Sequence, residues 1–271
     1  MGVTAVDFGF SQYKSLLSDM LGAQSVELRD GKKGPKGVVN PGDVLVYRKA
    51  DGRLVHTTLS ETRYQTARMQ LSVVKATRDF ASANVGFSGR WKDDKVNTTL
   101  WSLKYSGEMS VRAGQKPSEA IADIFKNGRS YAFECATGTM VILYKAILDR
   151  VGPDDFDAAF PRLKIKRWDN KPELFKAAER VGDLPGYMAG DHTYFKNPDF
   201  APEHSAWQGE NVIYLGDGQY FGHGVGYATE DDVLDTLDAL RKPDATTPAF
   251  RDDFELRLDG KKIAALDLTG G

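Results

Sequence analysis

Apolar residues recur along this chain with two periods, one helical and one alternating, and the switches between them mark its elements. Tyr13, Leu16, Leu17 and Leu21 stand at helical spacing and predict a short helix. A Gly/Pro/Lys loop follows from Gly31 to Gly42. Val44–Arg48 and Leu54–Leu59 then read as a hairpin across Asp51-Gly52. From about Glu61 to Ser82 the period is helical again, with Leu71, Val74 and Phe80 as core positions. Thr98–Tyr105 and Glu108–Arg112 predict a second hairpin across Ser106-Gly107. Ser118 is expected to cap a short helix carrying Ile121, Ile124 and Phe125, which Asn127-Gly128 ends.

The most apolar segment runs from about Cys135 to Val151. Ala136, Met140, Tyr144, Ile147, Leu148 and Val151 make one stripe, and Val141, Ile142 and Leu143 make the opposite side apolar too. A helix that is apolar all round belongs at the centre of a core. The second half reads mainly as strands. His192–Lys196 alternates until Asn197-Pro198 stops it, and Asn211–Leu215 pairs with Gln219–Gly224 across Asp217-Gly218. Thr229, with Asp232 three residues on, opens a final helix bearing Val233, Leu234, Leu237 and Leu240. Phe254–Leu258 is read as a last strand, and Gly260–Gly271 carries no clear element.

Composition changes this picture mainly by exclusion. The 271 residues are 41% hydrophobic and 27% charged, which suits a globular protein that buries its core without staples. A net charge of -2 gives no global pull toward nucleic acid. The single cysteine rules out an intrachain disulfide framework and a Cys-rich zinc site. Met1 to Met20 lacks a basic flank leading into an apolar run, and Met140–Tyr144 is too short to span a bilayer, so no membrane insertion and a cytoplasmic location are expected. HExxH, CxxC, P-loop and D-x-D-x-D-G patterns are missing, so no metal and no cofactor are expected.

Chemistry centres on Cys135, at the start of the apolar helix. A helix N-terminus favours a thiolate, and the small residues Ala136, Gly138 and Thr139 leave room for a substrate carbonyl. By position alone, a lone cysteine is more often a small buried hydrophobe. A nucleophile also needs a proton acceptor. His223, in Tyr220-Phe-Gly-His-Gly-Val-Gly226, has glycines on both sides that would clear space around an imidazole. His192 is a strand residue facing either way, and His56 and His204 suit the surface. Glu210, in Trp207-Gln-Gly-Glu-Asn-Val-Ile213, could orient a histidine or accept a proton itself if burial raises its pKa. Glu134 adds a charge favourable to the helix start but opposed to thiolate formation.

Several blocks in consistent order resemble the spore-associated bacterial protein-glutamine gamma-glutamyltransferases, the small transglutaminases of Bacillus and its relatives. They are Asn127-Gly-Arg-Ser-Tyr-Ala-Phe-Glu-Cys-Ala-Thr137, Tyr194-Phe-Lys-Asn-Pro198, Trp207–Ile213 and Tyr220–Gly226, continued by Arg241-Lys242 and Arg257-Leu258-Asp259. The resemblance implies an α+β fold with a papain-like, NlpC/P60-like core, in which a helix with cysteine at its start packs on an antiparallel sheet. It implies Cys135 as nucleophile, Glu210 as its main partner, His223 nearby and Glu134 in support, with Phe133, Trp207 and Asn211 contacting substrate. It further implies a crosslinking enzyme, monomeric, linked to sporulation, whose partners are proteins with exposed glutamine and lysine side chains; the missing D-x-D-x-D-G loop adds the expectation that it needs no calcium. Residues 61–259 would be the catalytic domain, 1–60 an N-terminal extension and 260–271 a tail. Two other readings stay open: a cysteine peptidase or amidase of the NlpC/P60 class using His223 as base, and a non-catalytic protein that keeps the fold.

Overall fold

The computed structural model of the chain describes residues 10–21, 23–29, 39, 41–166, 175–177 and 187–266. Most of the expected 31–42 loop and residues 267–271 of the tail lie outside them. The N-terminal part consists of α1 (Phe10–Leu21), β1 (Ser25–Arg29), β2 (Val44–Arg48) and β3 (Leu54–Thr58), with the strands in one antiparallel sheet of order β1-β2-β3. The helix and the β2–β3 hairpin match their sequence patterns; β1 had no alternating signal strong enough to read. Tyr13, Leu16, Leu17 and Met20 of α1 and Leu45 of β2 are buried in one cluster with Tyr64, Ala67 and Val74. Those last three belong to α2 (Glu61–Ser82), capped by the Ser60 side chain.

After α2 come β4 (Gly86–Phe87), β5 (Trp101–Leu103), β6 (Met109–Val111), α3 (Pro117–Lys126) and β7 (Ala132–Phe133). β5 and β6 form the expected hairpin, shorter than its sequence run. Ser118 does not cap α3. Lys116 holds the cap position, and the Ser118 hydroxyl and N–H both donate to Asp157, so a tertiary carboxylate has taken the donor group over. β4 and β7 pair in parallel directly ahead of α4 (Cys135–Val151). α5 (Pro153–Ala159) and β8 (Lys164–Ile165) follow, then β9 (Phe175–Ala177) and β10 (His192–Lys196).

The remaining elements are β11 (Gly209–Gly216), β12 (Gln219–Gly222), β13 (Gly226–Thr229), α6 (Glu230–Asp238), β14 (Phe250–Leu258) and α7 (Gly260–Ala264). β13 and α7 were not foreseen, and β14 starts earlier than its apolar run. The β11–β12 turn places Asp217 at φ 52° and Gly218 at φ 73°, the left-handed pair that a tight hairpin needs. Thr229 and Asp232 complete the capping box of α6. Six strands form one antiparallel sheet, order β13-β12-β11-β10-β14-β9. One face carries Ile213, Phe221, Leu256 and Leu258 into the main core with α2 and α4. The other carries Phe195, Val212, Tyr220 and Ala228 into a second core with Val233 and Leu237 of α6. Leu71, Leu234 and Leu240 are only partly buried. The architecture is thus α+β with antiparallel sheets, in which helices cover both faces of the large sheet. Among the described residues no helix is long and apolar enough to cross a membrane.

Arg257 of β14 makes a two-pronged ion pair with Asp191, at 2.8 and 2.7 Å, with both side chains wholly buried. Gln70 of α2 donates to the same carboxylate at 2.7 Å. The network ties the α2 layer to the sheet at the start of β10. Removing one partner would strand the other charge in the core. Arg257→Ala is therefore expected to lower unfolding stability by about 3–5 kcal/mol, read as a shift in the urea midpoint. The double replacement Asp191→Asn with Arg257→Met should lose clearly less.

Candidate active site

Cys135 is the first residue of α4 and its side chain is 5% exposed. Glu134 precedes it as the cap. Its carboxylate accepts from the N–H groups of Ala136 (2.7 Å) and Thr137 (2.8 Å) and from the Thr137 hydroxyl. The helix-end donors that would favour a thiolate are thus already committed to an internal carboxylate. The expectation that the helix start lowers the thiol pKa is overturned. Burial pushes the Cys135 thiol well above its ordinary value, and the charges of Glu210 and Glu134 push the same way; hydrogen bonding from Asn211 pulls it back in part. Cys135 rests as a neutral thiol.

Asn211 and Glu210 are neighbours on β11, and both act on that thiol. Asn211 turns its amide nitrogen to the sulfur, Nδ2 to Sγ 3.4 Å. Glu210 is completely buried. Its Oε1 accepts from the Gly224 N–H at 2.8 Å. Burial pushes its pKa up to about 7, with hydrogen bonds from Gly224 and the Cys135 thiol opposing that rise. Oε2 nevertheless has no well-formed partner. Thiol and carboxyl are therefore neighbours whose S–H···O contact is not fully closed.

The glycines flanking His223 serve this carboxylate and not the imidazole. A Cβ on Gly222 would come within 2.5 Å of Glu210 Oε1, and one on Gly224 within 3.1 Å of Oε2. His223 itself is packed into an aromatic wall. Its Nε2 lies 3.0 Å from the carbonyl of Gly86, and its ring sits among Phe80, Phe133 and Phe87 at centroid distances of 5.0, 5.6 and 5.8 Å. α4 presses directly on it, since a Cβ on Gly138 would meet the ring at 3.1 Å. Burial pushes its pKa down to about 4. Phe133 is a core residue in this aromatic group. Trp207 stacks obliquely on Phe87 at 5.4 Å and covers Gly224.

A cavity of about 790 Å³ opens over Cys135. Glu134, Ala136, His192, Tyr194 and Asn211 line it with the cysteine, and the exposed Arg90, Lys92 and Tyr105 reach it from outside. His192, whose direction the sequence left open, is buried beside the site with Nε2 2.9 Å from Asn211 Oδ1. Tyr194 pairs with Asn211 across β10 and β11. The period of two on β10 puts His192 and Tyr194 on one face, but which face depends on a pairing register that the sequence does not disclose. Among the described residues no group of three or more His, Cys, Asp or Glu side chains is arranged to hold a metal ion. The geometry is that of a buried thiol beside a carboxyl group and an amide donor, with a cavity open above it.

Comparison with known proteins places the chain among its relatives. A family model described as protein-glutamine gamma-glutamyltransferase matches residues 45–267, beginning on β2, ahead of the stretch in which the sequence blocks were recognised. The protein-glutamine gamma-glutamyltransferase of Bacillus pumilus is 34% identical over 217 residues, 80% of this chain and 82% of that protein. That of Bacillus subtilis is 35% identical over 192 residues, 71% and 76% of the two chains. The solved transglutaminase from Geobacillus stearothermophilus, without its C-terminal extension, superposes with a TM-score of 0.68 at 32% identity, covering 75% of this chain and 95% of that one. On the match across most of its length, and on relatives that share a third of its residues, this chain belongs to the protein-glutamine gamma-glutamyltransferase family.

Proposed function

We propose that this chain joins proteins by transferring the γ-glutamyl group of a glutamine side chain to a lysine amine through a Cys135 thioester. The observation that carries the reading is a buried thiol held between the Asn211 amide and a Glu210 carboxyl that titrates near neutrality. In the first half, Sγ bonds to the carboxamide carbon, the thiol proton passes to Glu210, and the carbonyl electron pair moves onto oxygen. Glu210 returns that proton to the departing nitrogen, the C–N bond breaks and ammonia leaves. In the second half, a lysine ammonium loses a proton to Glu210, which passes it to solvent; its nitrogen attacks the thioester, the C–S bond breaks, and the sulfur is reprotonated by the further proton that the nitrogen gives up through Glu210. A lysine amine is almost entirely protonated at neutral pH, which is why this half also needs the base. Water entering in its place gives glutamate.

Glu134 acts in support. It occupies the first helical N–H groups and keeps the thiol protonated until Glu210 removes the proton. His223 is assigned to the wall behind α4 and not to proton transfer, because it bonds to backbone and its pKa lies near 4. Asn211 is assigned to the substrate oxygen; Trp207, outside the cavity lining, is assigned to covering Gly224 beside Glu210, and Phe133, in the core, acts only by holding His223 in place. The packing of α4 on β11 supports a papain-like, NlpC/P60-like core, with residues 61–259 as the catalytic domain and 1–60 as an extension. The enzyme works without calcium and as a monomer. Relatives from Bacillus support a spore-associated setting and a role in sporulation, and the chain is assigned to the cytoplasm.

Mixing the protein with a glutamine-donor peptide and a lysine-donor peptide should yield a joined product lighter than their sum by one ammonia, and EDTA should not change the rate. Cys135→Ala should abolish the product; cleaved peptide bonds without amine incorporation would instead mark a hydrolase. The pH profile separates the two candidate bases. The base must be ionised, so with Glu210 near 7 the acid limb of kcat/KM should fall below pH 7, to about one tenth at pH 6. A His223 base would put that limb near 4. His223→Asn should keep the limb near 7, whereas Glu210→Gln should remove both the limb and most of the activity.

Stability gives an independent reading of the same carboxyl. Its folded pKa, about 7, exceeds its ordinary value of 4.5. Between those values the unfolded chain ionises Glu210 and the folded chain does not, so wild-type stability drops across that window as pH rises. Glu210→Gln should gain stability relative to wild type from pH 4.5 to 7 and hold the gain above it. A constant difference across the range would place the raised pKa elsewhere.

A further inference from the structure

His192 lies outside the reaction described above, yet its imidazole is bonded to a group that touches the nucleophile. We infer that His192 is a positioning residue, whose Nε2–H fixes the Asn211 carboxamide so that Nδ2 serves as the donor to the oxyanion formed during acyl transfer. The inference rests on the γ-glutamyl transfer reading and assigns it a part that none of the sequence blocks revealed.

The geometry runs in one line. His192 Nε2 is 2.9 Å from Asn211 Oδ1, and Asn211 Nδ2 is 3.4 Å from Cys135 Sγ. With the amide nitrogen committed to the sulfur, Oδ1 is the acceptor and Nε2 must carry the proton. Turned by half a revolution, the same amide would set its oxygen lone pairs against the sulfur and offer the developing oxyanion no donor. The His192 bond is what distinguishes the two orientations. Both side chains are buried, at 2% and 9% exposure, so water does not readily replace that bond. β10 and β11 hold them in register, since Tyr194 pairs with Asn211 and His192 lies two residues earlier on the same face.

Three N–H groups of the first helical turn cannot readily take over the donor role. The N–H groups of Ala136 and Thr137 are bonded to the Glu134 carboxylate, and that of Gly138 to the Glu134 carbonyl. This leaves the Asn211 amide as the side-chain donor beside the sulfur. When Sγ adds to the carboxamide carbon, the carbonyl oxygen acquires the electron pair of the broken π bond, and Nδ2–H is the group placed to meet it. Burial pushes the His192 pKa down to about 4, so at working pH the ring is neutral, an orienter and not a counter-ion for a thiolate.

The test is a cycle of His192→Met, Asn211→Ala and the double variant, with His192→Gln as the variant that keeps an N–H donor. His192→Met should lower kcat at least tenfold with KM for the glutamine donor little changed. His192→Gln should recover most of that loss. The double variant should be no slower than Asn211→Ala alone, because both act through one hydrogen-bonded line. Folding of each variant is checked by thermal unfolding and far-UV circular dichroism. A second readout needs no transfer activity: the pH profile of Cys135 alkylation by iodoacetamide. Glu134, Glu210 and Tyr194, the titratable groups that act on the thiol or feel its charge, are the same in every variant. His192→Met and Asn211→Ala should therefore raise the apparent thiol pKa by the same amount, and the double variant by no more. An unchanged kcat in folded His192→Met, losses that multiply in the double variant, or a thiol pKa indifferent to His192 would each overturn the inference. A wild-type protein that joins no peptides would sink the transfer reading alone, and the alkylation profiles would still decide whether His192 governs Asn211.

Discussion

α4 has no polar face, and the rest of the molecule is arranged around that constraint. Every residue of the helix except Lys145 is buried. Such a helix is stable only when covered on all sides, so α2 lies along it and the large sheet lies beneath it. The sheet in turn must shield its far side, which α6 does. Cys135 sits at an end of this helix that opens into a cavity, and β11 delivers Glu210 and Asn211 beside it. The position of the reactive sulfur is therefore set by core packing, and the loops around it need only leave it accessible.

The electrostatics of the site follow from the same burial. A thiol and two carboxylates stand together, with Arg90 and Lys92 reaching the cavity only from exposed positions, where water screens them. All three of these acids cannot easily be charged at once in a buried site. Glu134 places its charge in the first turn of α4, where N–H groups hold it. The remaining proton is then divided between Cys135 and Glu210, and burial raises both. This differs from a cysteine paired with a histidine, in which the resting pair can be ionic. On the proposed mechanism, charge separates here as substrate binds and the sulfur commits to a bond.

Much of this was legible in the sequence, and the limits have physical reasons. The apolar stripe from Cys135 to Val151 and the pattern from Glu61 to Ser82 marked α4 and α2 to the residue, because long periodic segments leave few alternatives. Asp217-Gly218 and Thr229 with Asp232 gave a turn and a cap whose chemistry is local. Ser118 was misplaced because its partner, Asp157, is distant in sequence. The glycines around His223 signalled close approach correctly but named the wrong group, since only the folded-back hairpin puts Glu210 against them. His192 could not be assigned for a similar reason: strands β10 and β11 are joined by a long segment, and nothing in it fixes which residues face each other.

The way Glu134 caps its own helix has a further consequence for the lifetime of the enzyme. Peroxides and disulfides react with the thiolate, and a thiol kept neutral by burial and by two adjacent carboxylates presents little of that form. The same arrangement makes the idle sulfur a poor target for oxidants. A chain with a single cysteine has no resolving partner within itself to rescue an oxidised sulfur through an internal disulfide. Chemical latency at rest is then its built-in protection, and it comes from the hydrogen bonds that start a helix.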